Sequence, residues 1–327
     1  MVYRSFSDLI EKCRQLGTKR RVAVAGAADD HVLEAVIEAD RRGLAESVLI
    51  GDEAGIRAIL ESLGTDAGRY EIVPAGGSET NGGQAAGSVE TEAIGSAEAA
   101  AMTPGQLAGE TAVRLIKEGR ADFIMKGLVE TRDVLKPLVN KENGLNLGRT
   151  MSVFSYNEVP QMNRLLGLSD GGMVIAPTLE QKRDIILNCV EVFHKLGVEE
   201  PSIALLAAIE KVNPKMPATV DAQALVEMNK RGEIAGCRLV GPVSFDIAMS
   251  REIAERKGYA NPDCGDFDCV IVPDMTAGNL MHKAMIVCGG TKMAGIIVGA
   301  KVPVVLTSRG ASAEEKFVSM ALAALTA

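Results

Sequence analysis

At 327 residues the chain has material for two ordinary domains, which excludes a small scaffold that depends on staples. Its 43 acidic residues outnumber 35 basic ones, a net charge of −8 that excludes nucleic-acid or membrane-surface binding through bulk positive charge; an anionic ligand must meet a local basic pocket. Aromatics make up only 3%, tryptophan is absent and small aliphatics are plentiful, a composition suited to Val and Ile strands under Ala-rich helices.

The opening residues, MVYRSFSDLIEKCRQLG, are charged and lack the apolar stretch of a signal peptide, and no apolar run approaches the roughly 20 residues of a membrane helix. The six cysteines are scattered without a framework. A soluble, cytoplasmic chain with reduced thiols is expected. Arg21 to Ala25 reads as a buried strand and Asp30 to Arg42 as a helix, with Asp29 or Asp30 as its cap. Ser47 to Ile50, Glu53 to Leu63 and Tyr70 to Val73 continue the alternation as strand, helix and strand. Gly76 to Met102 then breaks the pattern; rich in Gly, Ala, Ser and Glu, it reads as a mobile surface insertion of unknown role.

From Thr111 the alternation resumes with helix TAVRLIKEG, strand ADFIM and a helix over Thr131 to Asn140 that Pro137 could kink. Strands follow at Met151 to Phe154 and Met173 to Ile175, then a helix from Thr178 to Leu196, strand SIALLAA, a helix over Val220 to Lys230, strand RLVGPV and strand DCVIVP. Two apolar runs, Gly295 to Val298 and Val302 to Leu306, precede a final helix over Ala313 to Leu325. Roughly ten strands in alternation with helices suit two α/β domains.

Three strand ends gather candidate chemistry. In VPVVLTSRGASAEEK a buried strand runs into Ser308, Arg309 and Ser312 before a helix, where free backbone amides and a guanidinium fork suit phosphate or carboxylate. A capping serine beside a surface arginine is the plain alternative. In ADFIMKGLVETRD a strand delivers Lys126 and Gly127 to a turn before Thr131, an arrangement that suits phosphate, against the plain alternative of a solvated lysine. In PDMTAGNLMHKAM, Asn279 and Lys283 share a helix face, and His282 is either a general base or a packed histidine. Metal binding has little support, since Cys264 and Cys269 form a lone pair of thiols without further ligands at useful spacing. Neither a Walker A sequence nor GxGxxG follows the first strand, where residues 26–30 read GAADD.

Taken in order, MKGLVETRDVLKPLVNKENGL, VNPKMPATVDA, VPDMTAGNLMHK and KMAGIIVGAKVPVVLTSRGASAEEK resemble the phosphate acetyltransferase and phosphate butyryltransferase family, and the lysine of the MKG block looks closer to the butyryl branch. The resemblance covers most of the chain from Arg21. It implies a two-domain α/β fold like that of isocitrate and isopropylmalate dehydrogenases, with an interdomain cleft and a homodimer. One domain would comprise residues 1–147 plus 295–327 and the other residues 148–294. The implied reaction is reversible transfer of a short acyl group between coenzyme A and inorganic phosphate, with acyl-CoA, phosphate and acyl phosphate as partners and neither cofactor nor metal.

Carried over by motif, Ser308 and Arg309 match the reaction centre and Glu315 the base for the coenzyme A thiol, with Glu314 as its alternative. Lys126, Gly127 and Thr131 match the phosphate-side loop, and Asn279 and Lys283 the helix facing it. Lys136 stands where acetyl-branch relatives carry an arginine implicated in coenzyme A binding, a change that loses the bidentate fork. Butyryl-CoA is the leading substrate and acetyl-CoA the alternative. Two other classes compete: a metal-dependent hydroxyacid dehydrogenase on the same fold, and a silent phosphate or acyl-CoA sensor.

Overall fold

The computed structural model describes residues 3–75, 101–308 and 310–327. The insertion expected at Gly76 to Met102 falls almost entirely outside these residues, as does Arg309. In chain order the first half forms α1 (Phe6–Arg14), β1 (Arg20–Ala25), α2 (Asp30–Arg41), β2 (Ala45–Gly51), α3 (Glu53–Ser62), β3 (Glu71–Pro74), α4 (Pro104–Lys117), β4 (Phe123–Lys126) and α5 (Thr131–Val139). The second half forms β5 (Ser152–Glu158), β6 (Leu165–Ser169), α6 (Leu179–Lys195), β7 (Ser202–Leu206), α7 (Pro217–Lys230), β8 (Arg238–Val243), α8 (Phe245–Met249), α9 (Arg251–Arg256), β9 (Cys269–Ile271), α10 (Met275–Gly289), β10 (Lys292–Val298), β11 (Val304–Val305) and α11 (Ala313–Thr326). The fold is mixed α/β.

The chain divides into two compact units, an amino-terminal one holding Ile10–Leu147 and Ala300–Leu325 and a central one holding Met1–Leu9 and Gly148–Gly299. In the amino-terminal unit the strands run β3-β2-β1-β4-β11, and each pairing is parallel. Parallel strands buried on both faces read as unbroken apolar runs, and Val22–Ala25, Val48–Ile50 and Phe123–Met125 are all fully buried. Asp29 caps α2 by accepting from the Val32 amide. Helix α4 starts seven residues before the expected Thr111, because Thr103 and Gln106 form a capping box and Pro104 fills the first turn. Pro137 lies in the last turn of α5, where the helix is about to end.

The central unit orders its strands β10-β5-β6-β9-β7-β8. Strand β5 pairs antiparallel with β10 and β6, whereas β6, β9, β7 and β8 are mutually parallel. Phe154, Tyr156 and Phe193 pack edge to face at 5.4 to 5.8 Å between ring centroids. Tyr3 joins this cluster through Tyr156 and donates its hydroxyl to the Leu196 carbonyl, which explains why the first residues belong to this unit.

One expected strand is corrected. Met173 to Ile175 is a loop, because the Asp170 carboxylate accepts the Gly172, Met173 and Val174 amides at 2.9 to 3.1 Å and so takes the donors that a ladder would need. The strand of this region is β6, LLGLS, whose Leu-rich composition with an internal glycine hides it from β propensity.

Helices α4 and α5 touch through backbone. A Cβ on Gly109 would stand 2.0 Å from the Asp133 carbonyl oxygen, and one on Gly105 would stand 2.6 Å from the Asp133 carboxylate. Replacing Gly109 by alanine gains about 1 kcal/mol of helix propensity but overpacks the contact by roughly 3 kcal/mol. Gly109→Ala is therefore expected to lower the unfolding free energy by about 2 kcal/mol, seen as a lower urea midpoint. Gly289→Ala, at the last residue of α10, whose added methyl would meet only the Thr291 hydroxyl at 3.6 Å, should not lower that midpoint and gains helix propensity instead.

Candidate active site

The carboxyl ends of β1, β4 and β11 meet at one edge of the amino-terminal sheet. Strands β1, β2 and β3 progress to one side, and β4 then pairs on the other side of β1, so the strand order reverses between β1 and β4. This is the place in an open α/β sheet where ligands bind. Here the loop after β4 is pressed onto the loop after β1: the Gly127 amide donates to the Ala25 carbonyl at 2.8 Å and Leu128 to Gly26 at 2.7 Å. A Cβ on Gly127 would lie 2.1 Å from the Gly26 carbonyl oxygen, so the glycine is required by the contact of two backbones.

That contact sets Lys126 at the rim of the sheet, in register with Ala25 and only 9% exposed. Its ammonium donates to the Gly127 carbonyl at 3.2 Å. A solvated lysine is thus the wrong description; the charge is drawn in against the loop. Thr131 opens α5 and is exposed, as is Lys136 further along the same helix.

Strand β11 aligns Val304 with Ile124 and Val305 with Met125, so its chain leaves the sheet at the same edge as Lys126. Ser308 follows, exposed, and its hydroxyl accepts the Gly310 amide at 3.2 Å. Ser312 caps α11 by accepting from Glu315, which lies in the first helical turn. The Glu315 carboxylate is the unusual group here. Its Oε1 is shielded from solvent with no hydrogen-bond partner among the described residues, and burial raises the carboxyl pKa against the lowering effect of Lys316. Lys316 is itself buried and donates to the Ala311 carbonyl at 2.7 Å.

The structure therefore brings Lys126, Gly127, Ser308 and Glu315 to elements that end or begin at one sheet edge. Asn279 and Lys283 belong to the central unit, both exposed on α10. The start of that helix is fixed by the Asp274 cap and by close contact of Gly278 with Gly171, where an added Cβ would stand 2.7 Å from the Gly171 Cα. Asn279 donates to the Gly171 carbonyl at 3.4 Å. His282 is the packed histidine of the two alternatives. Its Nε2 lies 2.8 Å from the Asn157 carboxamide oxygen and 3.2 Å from the Ser155 hydroxyl, and burial lowers its pKa. Ser155 and Asn157 alternate along β5 with the same orientation, which a reading of the His282 helix alone has no means to find.

A family model described as Phosphate acetyl/butaryl transferase matches residues 5–324. A phosphate acetyltransferase of Thermotoga maritima is 41% identical over 319 residues, covering 98% of both chains. A phosphate butyryltransferase of Clostridium acetobutylicum is 40% identical over 324 residues, 99% of this chain and 98% of the relative. Among solved structures, a branched-chain phosphotransacylase from Enterococcus faecalis V583 superposes with a TM-score of 0.77 at 29% identity, covering 94% of this chain and 98% of that one.

Glu315 has a stability signature with a definite sign. A carboxyl whose folded pKa is raised supports the fold when protonated and opposes it as pH rises through that pKa. Glu315→Gln is expected to have a higher urea midpoint than the wild type at pH 7 to 8, with the difference shrinking as pH falls towards the ordinary glutamate range. An equal difference at every pH would contradict the assignment.

Proposed function

The chain belongs to the phosphate acetyl/butaryl transferase family, and from that premise we propose that it transfers a short acyl group reversibly between coenzyme A and inorganic phosphate. Butyryl-CoA is the preferred donor in this reading, on the strength of Lys126 and the KENGL stretch at residues 141–145. Acetyl-CoA is the second candidate, favoured by the near-equal match to relatives named for each acyl group. A pocket discriminates one methylene by only about 1 to 3 kcal/mol, so neighbouring donors should react as well.

The observation that carries the mechanism is the Glu315 carboxylate in the first turn of α11, whose Oε1 is shielded and has no hydrogen-bond partner among the described residues. When acyl phosphate is consumed, Glu315 takes the thiol proton, the sulfur attacks the acyl carbon and the carbon–phosphate oxygen bond breaks. In reverse, a phosphate oxygen attacks the thioester, the carbon–sulfur bond breaks and protonated Glu315 returns the proton to the leaving thiolate. Ser308 donates to the oxygen that turns negative at the tetrahedral carbon. Arg309, Lys126 and Lys283 neutralise the phosphate, with Gly127, Thr131 and Asn279 shaping its seat and Lys136 meeting coenzyme A. The raised pKa of Glu315 keeps a proton available for return at a higher pH than an ordinary glutamate would.

The proposal extends to a cytoplasmic enzyme of dehydrogenase-like two-domain fold that requires no cofactor or metal. Among the described residues no helix is long and apolar enough to cross a membrane. It also extends to a homodimer. Only Gly278 is buried among the residues of α10, and Leu280 and Val287 on one helix face are 65% and 81% exposed. That face is the kind of apolar stripe a second copy covers. Val287→Asp is expected to give a monomer by sedimentation equilibrium, and a dimer of unchanged stability would place the interface elsewhere.

The reaction is tested by phosphate-dependent thiol release from acetyl-, butyryl- and branched acyl-CoA without added metal. Ser308→Ala is expected to lose about 3 kcal/mol of transition-state stabilisation, and Glu315→Gln about 10² to 10⁴ in rate together with the acid limb of the pH profile. Thiol release independent of phosphate, or unchanged kcat/KM in Arg309→Ala, would overturn the reading.

A further inference from the structure

The central unit has its own reversal of strand order. From β7 the chain crosses to β8 on one side and then to β9 on the other. The segments leaving β7, β8 and β9 line a cavity of about 600 Å³ beyond the carboxyl ends of these strands, a size and position suited to a small molecule. Every lining residue belongs to the central unit, and none of the residues assigned to acyl transfer is among them. Most of the wall is apolar. Met216 and Met281 supply pliable surface, and the half-exposed ring of Phe245 supplies a flat one.

The charged side chains of the lining are Lys182, Asp221 and Asp274, one cation against two carboxylates. Lys182 is 7% exposed, and its ammonium donates to Asp221 Oδ2 at 2.7 Å, the one hydrogen bond it makes among the described residues. Asp274 Oδ1 accepts the Ala277 amide at 2.9 Å as the cap of α10. An ammonium has three hydrogens, so Lys182 keeps donors for a ligand, and Asp221 Oδ1 and Asp274 Oδ2 have no donor among the described residues. This pattern discriminates between ligand classes. A lone carboxylate or phosphate gains at Lys182 and is repelled by Asp221 and Asp274, and a lone amine gains at the carboxylates and is repelled by Lys182. A zwitterion gains at both. The Lys182 and Asp221 charges are 2.7 Å apart, so the opposite charges of the ligand must also be close neighbours. An α-amino acid carries both on one carbon, whereas one further residue sets the termini of a dipeptide about 3.5 Å further apart.

We infer that this cavity binds a free α-amino acid with a large apolar side chain. The ligand carboxylate meets Lys182, its ammonium meets Asp221 and Asp274, and its side chain fills the space beside Phe245 and the two methionines. The inference goes beyond acyl transfer, and it uses neither that reading nor any group of the amino-terminal unit. Removing both charges together as Lys182→Met with Asp221→Leu leaves no buried unpaired ion from the pair, and replacement of a buried pair by apolar side chains is tolerated by folds. Phe245→Ala, at a half-exposed position, serves as the second variant.

Calorimetric titration of the full chain with phenylalanine, phenethylamine, 3-phenylpropionate and alanine is the direct test. Phenethylamine lacks the carboxylate, 3-phenylpropionate lacks the ammonium, and alanine keeps both charges without the ring. Phenylalanine is expected to bind the wild type at least tenfold more tightly than either singly charged analogue, and at least tenfold more tightly than alanine. Its affinity should fall at least tenfold in the double variant and about three- to tenfold in Phe245→Ala. No binding of phenylalanine, or equal binding of either singly charged analogue, overturns the inference. So does an affinity that both variants leave unchanged. Phenylalanine that coenzyme A displaces would occupy the acyl-transfer site, which overturns a separate amino-acid site. Binding in the expected pattern by a protein that releases no thiol from acyl-CoA supports the cavity assignment while the acyl-transfer reading falls.

Discussion

The amino-terminal site depends on one steric constraint, the contact between the backbones after β1 and β4. Gly127 has no room for a side chain against the Gly26 carbonyl, and the Gly26 φ of +74° is one that glycine alone adopts cheaply. With the two loops locked, Lys126 is held at the sheet edge and α5 begins at a fixed point. The parallel pairing of β11 with β4 then carries Ser308 out at that edge. The edge therefore takes its geometry from glycine contacts and strand register.

Burial acts in two ways on the titratable groups. His282 is partly buried, with Ser155 and Asn157 both meeting its Nε2, so its neutral form holds α10 to β5 and the imidazole contributes position. Glu315 is buried at one oxygen that has no partner among the described residues, so its charged form costs free energy that the fold tolerates. The contrast is one of satisfaction: the histidine has its partners, whereas one oxygen of the carboxylate has none among the described residues. Asp170 is pulled both ways, since burial raises its pKa while backbone hydrogen bonds at Gly172, Val174, Met173 and Val153 lower it.

The alternation of strands and helices was legible because buried parallel strands write themselves as short unbroken apolar runs, as in RVAVA and FIMK, and because Asp29 is a strong cap. Lys126 and Ser308 were legible as strand-end residues for the same reason. The capping box at Thr103 and Gln106 stood in the sequence and would have set the start of α4. Other features were not local. Asp170 capturing three amides, His282 meeting Ser155 and Asn157, and Lys182 pairing with Asp221 all depend on tertiary approach. A lysine and an aspartate 39 residues apart on two helices read as solvated charges until the strands between them set the distance.

The aromatic inventory gives the two units separate optical voices. Without tryptophan, emission excited near 280 nm comes from four tyrosines. Tyr3, Tyr156 and Tyr259 belong to the central unit, and Tyr70 belongs to the amino-terminal one. Tyr3 and Tyr156 lie within one ring cluster, 6.4 Å between centroids, so the native signal is weighted towards a single packed core. Loss of that signal during denaturation reports the central unit, and a transition followed by backbone circular dichroism reports both. Their coincidence or separation measures whether the chain melts as one cooperative body.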